Sequence, residues 1–351
     1  MSNAALLPLP THPDGVSWPT DGWETGEPKG GVDRARLDAL VDDGFGAQNG
    51  PDMGETHALL VVQHGKIVAE HYAQDFTAAS TFPSWSKAKS ITQALIGILV
   101  REGKIDIHTR ADVPEWEDPS DPRHSITLDQ LLRMSSGLAF REEYTDQAPS
   151  DVIEMLWGTG KEDTGAFAAS FDLEHPVGSY WSYSSGTTNI VARCAARALG
   201  ATGPEFEKFM REELLDPIGM KSADPKFDDA GTFIGSSFCF ATARDFAKFG
   251  TLYLRDGVWD GKRILPEGWV DYARTPTTQT PAMLEDDGPY GAHWWLERGG
   301  PGSFSANGFE GQFTIVVPDC DLVLVRHGKT DASLGPAMKA WMANVVDCFR
   351  T

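Results

Sequence analysis

The pattern of apolar positions changes period along the chain. Residues 57–63 (HALLVVQ) form an apolar run, His64-Gly65 supplies a tight turn, and residues 66–73 alternate at Ile67, Ala69 and His71, which predicts a β-hairpin. From Ile91 the period lengthens: Ala94, Leu95, Ile98 and Leu99 follow at the spacing of one buried helical face. A single helix is therefore expected over residues 82–102, with Pro83 in its first turn and Ser84 as its cap. Helical spacing also marks residues 32–45, 127–134, 151–156, 186–199, 203–215 and 241–255, with long polar loops between the later segments. After Gly257 strands return at 290–297, 312–317 and 322–327, the last two joined by a Pro318-Asp319 turn, and residues 332–349 close as an amphipathic helix.

Strands at both ends and helices in the middle predict an α/β (α+β) fold: an antiparallel sheet built from N- and C-terminal strands, flanked by helices, with an inserted, mostly helical domain. The expected division is an irregular arm at 1–32, packed on the body through Trp18 and Trp23; a sheet domain of 33–85 plus 257–351; a helical domain at 86–256; and a cleft between the last two. A chain of 351 residues is ample for such a core. The formal net charge of −21 argues against a nucleic-acid or anionic-membrane surface, since both need concentrated Lys and Arg. Cys194, Cys239, Cys320 and Cys348 are scattered without a C-x-x-C pair and read as free thiols of a cytoplasmic protein. The short apolar run from Ala4 to Leu7 ends at Pro8, so neither a secretory leader nor a membrane span of ~20 residues is expected.

Candidate chemistry concentrates where the predicted helix begins. Two overlapping Ser-x-x-Lys pairs, Ser84 with Lys87 and Ser86 with Lys89, each put an amine on the same helical side as a hydroxyl. A serine becomes a nucleophile when a base takes its proton, and a lysine whose pKa is lowered by burial is such a base. About one Ser-x-x-Lys is expected by chance in a chain of this length, so these pairs alone decide nothing. A second stretch, Trp181-Ser182-Tyr183-Ser184-Ser185-Gly186, precedes a helix; a phenol beside a lysine ammonium has its anion stabilised and can relay protons. A third, Asn307-Gly308-Phe309-Glu310-Gly311-Gln312, leads into a strand with glycines that let backbone N–H groups approach a ligand. No G-x-S-x-G, phosphate-binding loop or H-E-x-x-H is present, and no metal role is assigned to His57, His64 and His71. The Trp294-Trp295 pair reads as core and cleft wall.

In order, Ser86-Lys87-Ala88-Lys89-Ser90-Ile91-Thr92, Leu131-Leu132-Arg133-Met134-Ser135-Ser136-Gly137, Tyr183-Ser184-Ser185-Gly186 and Gly308-Phe309-Glu310-Gly311-Gln312 resemble the class C β-lactamase-like serine hydrolases. That family includes β-lactamases, D-alanyl peptidases, esterases and 6-aminohexanoate-oligomer hydrolases, and the resemblance covers roughly residues 33–349. It implies Ser86 as nucleophile, Lys89 as base and Tyr183 as third catalytic residue, with Ser185 in the place of the family's asparagine. The backbone N–H groups of Ser86 and Gln312 would form the oxyanion hole. Glu143-Tyr144-Thr145-Asp146 is similar to the loop of the 6-aminohexanoate-oligomer hydrolases in which a tyrosine contacts the scissile amide. Where penicillin-processing members carry Lys-Thr-Gly or His-Thr-Gly, this chain has Phe309-Glu310-Gly311, which removes a cation that helps bind a substrate carboxylate.

The expected activity is hydrolysis of an ester or amide of a small molecule through an acyl-enzyme, without metal or organic cofactor. Tyr144, Ser185, Phe309, Glu310 and Gly311 are the candidate substrate-binding residues. β-Lactamase or D-alanyl carboxypeptidase activity, acyl transfer, and a catalytically silent ligand-binding protein are the alternatives. A homo-oligomer stays open.

Overall fold

The 57–63 run lacks alternation because both faces of its strand are covered. In the computed structural model, which describes residues 6–46, 50–144, 150–286 and 288–350, this segment is β1 (Glu55–Gln63). Ala58, Leu60 and Val62 enter one core, while Leu59 and Val61 enter the other. His64 (φ 48°) and Gly65 (φ 75°) are both left-handed, the backbone a two-residue hairpin turn requires, and lead into β2 (Lys66–Tyr72). The remaining strands are β3 (Thr81–Pro83), β4 (Asp224–Pro225), β5 (Cys239–Thr242), β6 (Val258–Trp259), β7 (Lys262–Arg263), β8 (Trp295–Leu296), β9 (Phe304–Gly308), β10 (Gln312–Val317) and β11 (Leu322–Lys329).

Six of them form one antiparallel sheet in the order β2-β1-β11-β10-β9-β8, so strands from both ends of the sequence meet at the β1–β11 pair. Helices Arg34–Phe45 and Gly335–Asp347 cover one face, packing Leu37, Trp341 and Val345 on Leu59, Phe313 and Leu324. Helix Ala243–Leu254 covers the other through Gly250, where a Cβ would sit 2.7 Å from the Val323 methyl. The helices of the middle segment continue outward from that face. The N-terminal arm docks as expected: Trp18 lies 5.0 Å from Trp259, and Trp23 Nε1 donates to the Arg244 carbonyl at 3.1 Å. All four cysteines are free and buried. Among the described residues, no helix is long and apolar enough to cross a membrane.

Several element boundaries differ from the sequence expectation for local reasons. The helix expected over 82–102 is instead β3, a 3₁₀ turn at Trp85–Lys87 and an α-helix from Ala88 to Arg101. Ser84 is not its cap: the hydroxyl donates to Ser237 O (3.0 Å) and accepts from Cys239 N (2.9 Å), because β3 pairs with β5 there. The strand expected over 290–297 shrinks to β8, since the N–H groups of Ala292 and His293 turn to the carbonyls of Ala273 and Leu132. Strand β9 was not expected, its Ala-Asn-Gly end having poor strand propensity; pairing with β10 imposes it.

Because Gly250 leaves no room for a methyl group, Gly250→Ala should lose about 1–3 kcal/mol of stability from overpacking. A urea titration of the variant against the wild type reads this directly, and an unchanged midpoint would contradict it.

Candidate active site

The turn carrying Ser86 is held from both sides. Ser84 fastens its start to the β5 edge, and Trp85 adopts a left-handed backbone (φ 44°), a strained conformation that costs about 1–3 kcal/mol for a residue other than glycine. The geometry separates the two Ser-x-x-Lys pairs. Ser84 and Lys87 each bond elsewhere, the Lys87 amine lying 3.2 Å from His327 Nε2. Lys89 Nζ, by contrast, donates to Ser86 Oγ at 3.0 Å.

Lys89 is buried, and its amine also donates to Ser185 Oγ (2.9 Å) and to the Ser236 carbonyl (3.1 Å). Removal from water pushes its pKa down to about 8, against the charge of Glu142, which raises it. This lysine therefore loses its proton far more readily than an ordinary lysine. Tyr183 places its ring 4.8 Å from the amine and lines the cleft beside Ser86. The lysine was expected to ease ionisation of this phenol. Instead burial and the Glu142 carboxylate push the Tyr183 pKa up, so the phenol keeps its proton.

Glu142 has no motif around it, and sequence reasoning passed it over in favour of its neighbours. Its Oε2 accepts from Ser185 N (2.8 Å), and its Oε1 accepts from Ser185 Oγ (2.6 Å) and Tyr144 OH (2.6 Å). The carboxylate thus sits at the N-terminus of helix Ser185–Leu199, where the helix dipole favours negative charge. Ser185, expected on the substrate side, lies behind the cleft, fully buried, its hydroxyl accepting from Lys89 and donating to Glu142. Asn189, one helical turn on, accepts the Ser236 N–H at 3.0 Å and so orients the carbonyl that Lys89 meets. Neither Asn189 nor Ser236 carried a sequence signal.

The opposite wall is the β9–β10 connection. Gly308, opposite Gln312 in the strand register, runs so close to the Ser86 turn that a Cβ there would lie 2.3 Å from the Ser84 carbonyl. This contact brings together the two elements bearing the expected oxyanion donors. Glu310 (φ 59°) turns the chain, and the buried guanidinium of Arg326 holds it by donating to the carbonyls of Glu310 and Gly311. A cleft of about 340 Å³ opens between the walls, lined among others by Ser86, Tyr144, Tyr183, Trp295, Phe309 and Glu310. Gly311 lines it as well. Phe309 is 43% exposed and stacks on Tyr144 with centroids 5.1 Å apart. Trp294 is core and Trp295 cleft wall, as expected. Thr145 and Asp146 of the tyrosine loop lie outside the described residues.

Comparison with known proteins agrees with this architecture. A family model described as Beta-lactamase matches residues 50–346. The chain is 27% identical over 315 residues to the 6-aminohexanoate-dimer hydrolase of Paenarthrobacter ureafaciens, covering 83% of this chain and 77% of that one. Its fold is similar to that of a Bacillus anthracis protein provisionally named a 6-aminohexanoate-dimer hydrolase (TM-score 0.73, 22% identity, 98% of this chain and 91% of that one). It is also similar to a family VIII carboxylesterase (TM-score 0.67, 15% identity, 92% and 99%). With the family model spanning most of its length, the chain belongs to the β-lactamase family, among the class C β-lactamase-like serine hydrolases.

Proposed function

We propose that this serine hydrolase cleaves an ester or amide bond of a small molecule through a covalent acyl-enzyme on Ser86. The observation that carries the reading is the buried Lys89 amine, 3.0 Å from Ser86 Oγ and lowered toward neutrality by desolvation. In its neutral form Lys89 takes the Ser86 proton as Oγ attacks the carbonyl carbon. The resulting oxyanion faces the N–H groups of Ser86 and Gln312. Tyr183, a protonated phenol, gives its proton to the departing oxygen or nitrogen and is reprotonated from the Lys89 ammonium. The leaving group departs as alcohol or amine. Water then reverses the sequence: its proton passes to the same pair, its oxygen attacks the acyl carbon, and Ser86 leaves with a proton.

The substrate reading rests on the third motif. Phe309 presents a ring where penicillin-processing enzymes present a cation, so that position of the wall offers an apolar surface and no partner for a carboxylate, while Glu310, Asp331, Arg298 and Lys339 give the rest of the cleft charges of both signs. A neutral ester or amide with an apolar group against Phe309 and Tyr144 suits the wall better than a β-lactam or a peptidoglycan stem. The relative named 6-aminohexanoate-dimer hydrolase favours amide cleavage, and the carboxylesterase fold neighbour keeps ester cleavage beside it.

A fluorophosphonate probe should label the wild type on Ser86 and leave Ser86→Ala unlabelled, as read by mass spectrometry of the tryptic peptides; equal labelling of the variant would end the proposal. The pH profile supplies an independent check. Because the neutral amine is the reactive form, kcat/KM for p-nitrophenyl butyrate should rise with pH through a midpoint near the Lys89 value of about 8. The Glu142 charge raises that value, so Glu142→Gln should move the midpoint to lower pH. A shift to higher pH would show that Glu142 does not act on Lys89 in this way.

A further inference from the structure

Lys87 is the lysine that this reaction leaves unused, yet it is as deeply buried as Lys89, with 1% of its surface exposed. Its amine lies 3.4 Å above the Phe246 ring and 3.2 Å from His327 Nε2, and among the described residues no carboxylate pairs with it. Desolvation holds it well below its ordinary pKa. A buried amine of this kind is costly, which asks what it holds in place.

The answer follows from the partners of His327. Its ring is stacked on Phe82 at 4.4 Å, and its Nδ1 meets Gln312 Oε1 at 3.0 Å. The Gln312 amide is fully used: Nε2 donates to Gly328 O (2.6 Å) and Phe309 O (3.2 Å), so Oε1 can only accept. His327 Nδ1 is therefore the N–H of the ring, and Nε2 is a bare acceptor. Lys87 Nζ supplies the proton that Nε2 needs. The chain Lys87 to His327 to Gln312 runs in one direction, donor to acceptor, beneath the cleft. Strand alternation makes it possible, since Gln312 and His327 share the sheet face opposite Phe313 and Arg326, which pair in the β10–β11 register.

We propose that Lys87 is a positioning residue for the oxyanion hole: through His327 and Gln312 it ties the Ser86 turn, of which it is the next residue, to the first residue of β10. The two backbone N–H groups that would receive the carbonyl oxygen sit on these two elements. Gly308 against Ser84 clamps them from the β9 side, and the Lys87 link clamps them from beneath. The inference rests on the serine hydrolase reading, and it concerns a residue that touches neither substrate nor Ser86 Oγ.

The test compares Lys87→Met, which keeps the stem and removes the donor, with Lys87→Gln, which restores an N–H donor on a side chain one bond shorter. The assays are p-nitrophenyl butyrate turnover, inhibition by phenylboronic acid, which forms a tetrahedral adduct on the serine, and fluorophosphonate labelling. Lys87→Met should lower kcat by about 10- to 100-fold, short of the 10²–10³ for outright loss of one oxyanion donor. KM should stay within about twofold, and boronate affinity should fall in parallel with kcat. Lys87→Gln should recover most of both. Should Lys87→Met fail to fold, Gln312→Met cuts the link at its other end while keeping the backbone N–H, and the same kcat-selective loss is expected. Wild-type kcat and boronate affinity in a folded Lys87→Met or Gln312→Met would overturn the proposal, as would a loss in Lys87→Met that tracks the melting temperature and is not recovered by Lys87→Gln. Both outcomes leave the serine reading standing if the wild type is labelled on Ser86. An unlabelled wild type overturns that reading and this proposal with it.

Discussion

An amine buried with no carboxylate in contact among the described residues is the constraint around which this cleft is arranged. Among the described residues, Lys89 donates to neutral oxygens, those of Ser86, Ser185 and Ser236, and desolvation carries its pKa down to about 8. Glu142 stands one hydroxyl away, bonded to Ser185. In direct contact a carboxylate would hold the ammonium form. At one remove it offsets part of the desolvation and leaves the amine within reach of neutrality. The same carboxylate acts with burial to keep Tyr183 protonated, so a single charge favours the protonated form of two neighbouring groups, the ammonium of Lys89 and the neutral phenol of Tyr183.

The scaffold answers this demand with strand alternation and close approach. Both faces of β10 and β11 are buried, so alternate residues serve different layers: Phe313 and Leu324 pack on the terminal helices, while Gln312 and His327 point into the middle of the molecule. The Ser86 turn lies outside the six-stranded sheet: the β3–β5 pair of a separate three-stranded sheet anchors its start, and Gly308 of β9 meets it under the Ser84 carbonyl. Left-handed backbone at Trp85 and Glu310, on opposite sides of the cleft, marks where packing overrides local preference.

Much of this was legible in the residues themselves. The apolar runs and their changes of period located the hairpin, the Ser-Lys helix, the last two strands and the closing helix, because burial on a regular element imposes its period on neighbouring positions. The ordered motifs reached the family. What failed was local in origin: residues 82–87 carry helix-start signals in Pro83 and Ser84 but form a strand paired with β5 and a 3₁₀ turn, and residues 304–308 form a strand only because β10 pairs with them.

The sequence by itself determined most of the elements and their likeness to a known family; spacing alone left two pairs of serine and lysine eligible, since residues three apart on a helix share a side whatever surrounds them, and only that likeness favoured Ser86 with Lys89. Tertiary structure decided which pair meets, by turning Ser84 to β5 and Lys87 to His327. It also brought Glu142, Ser236 and His327 to the site from segments far apart in the chain, and it set the proton states of Lys89 and Tyr183. Desolvation depends on everything packed around a group, and no spacing along the chain encodes that.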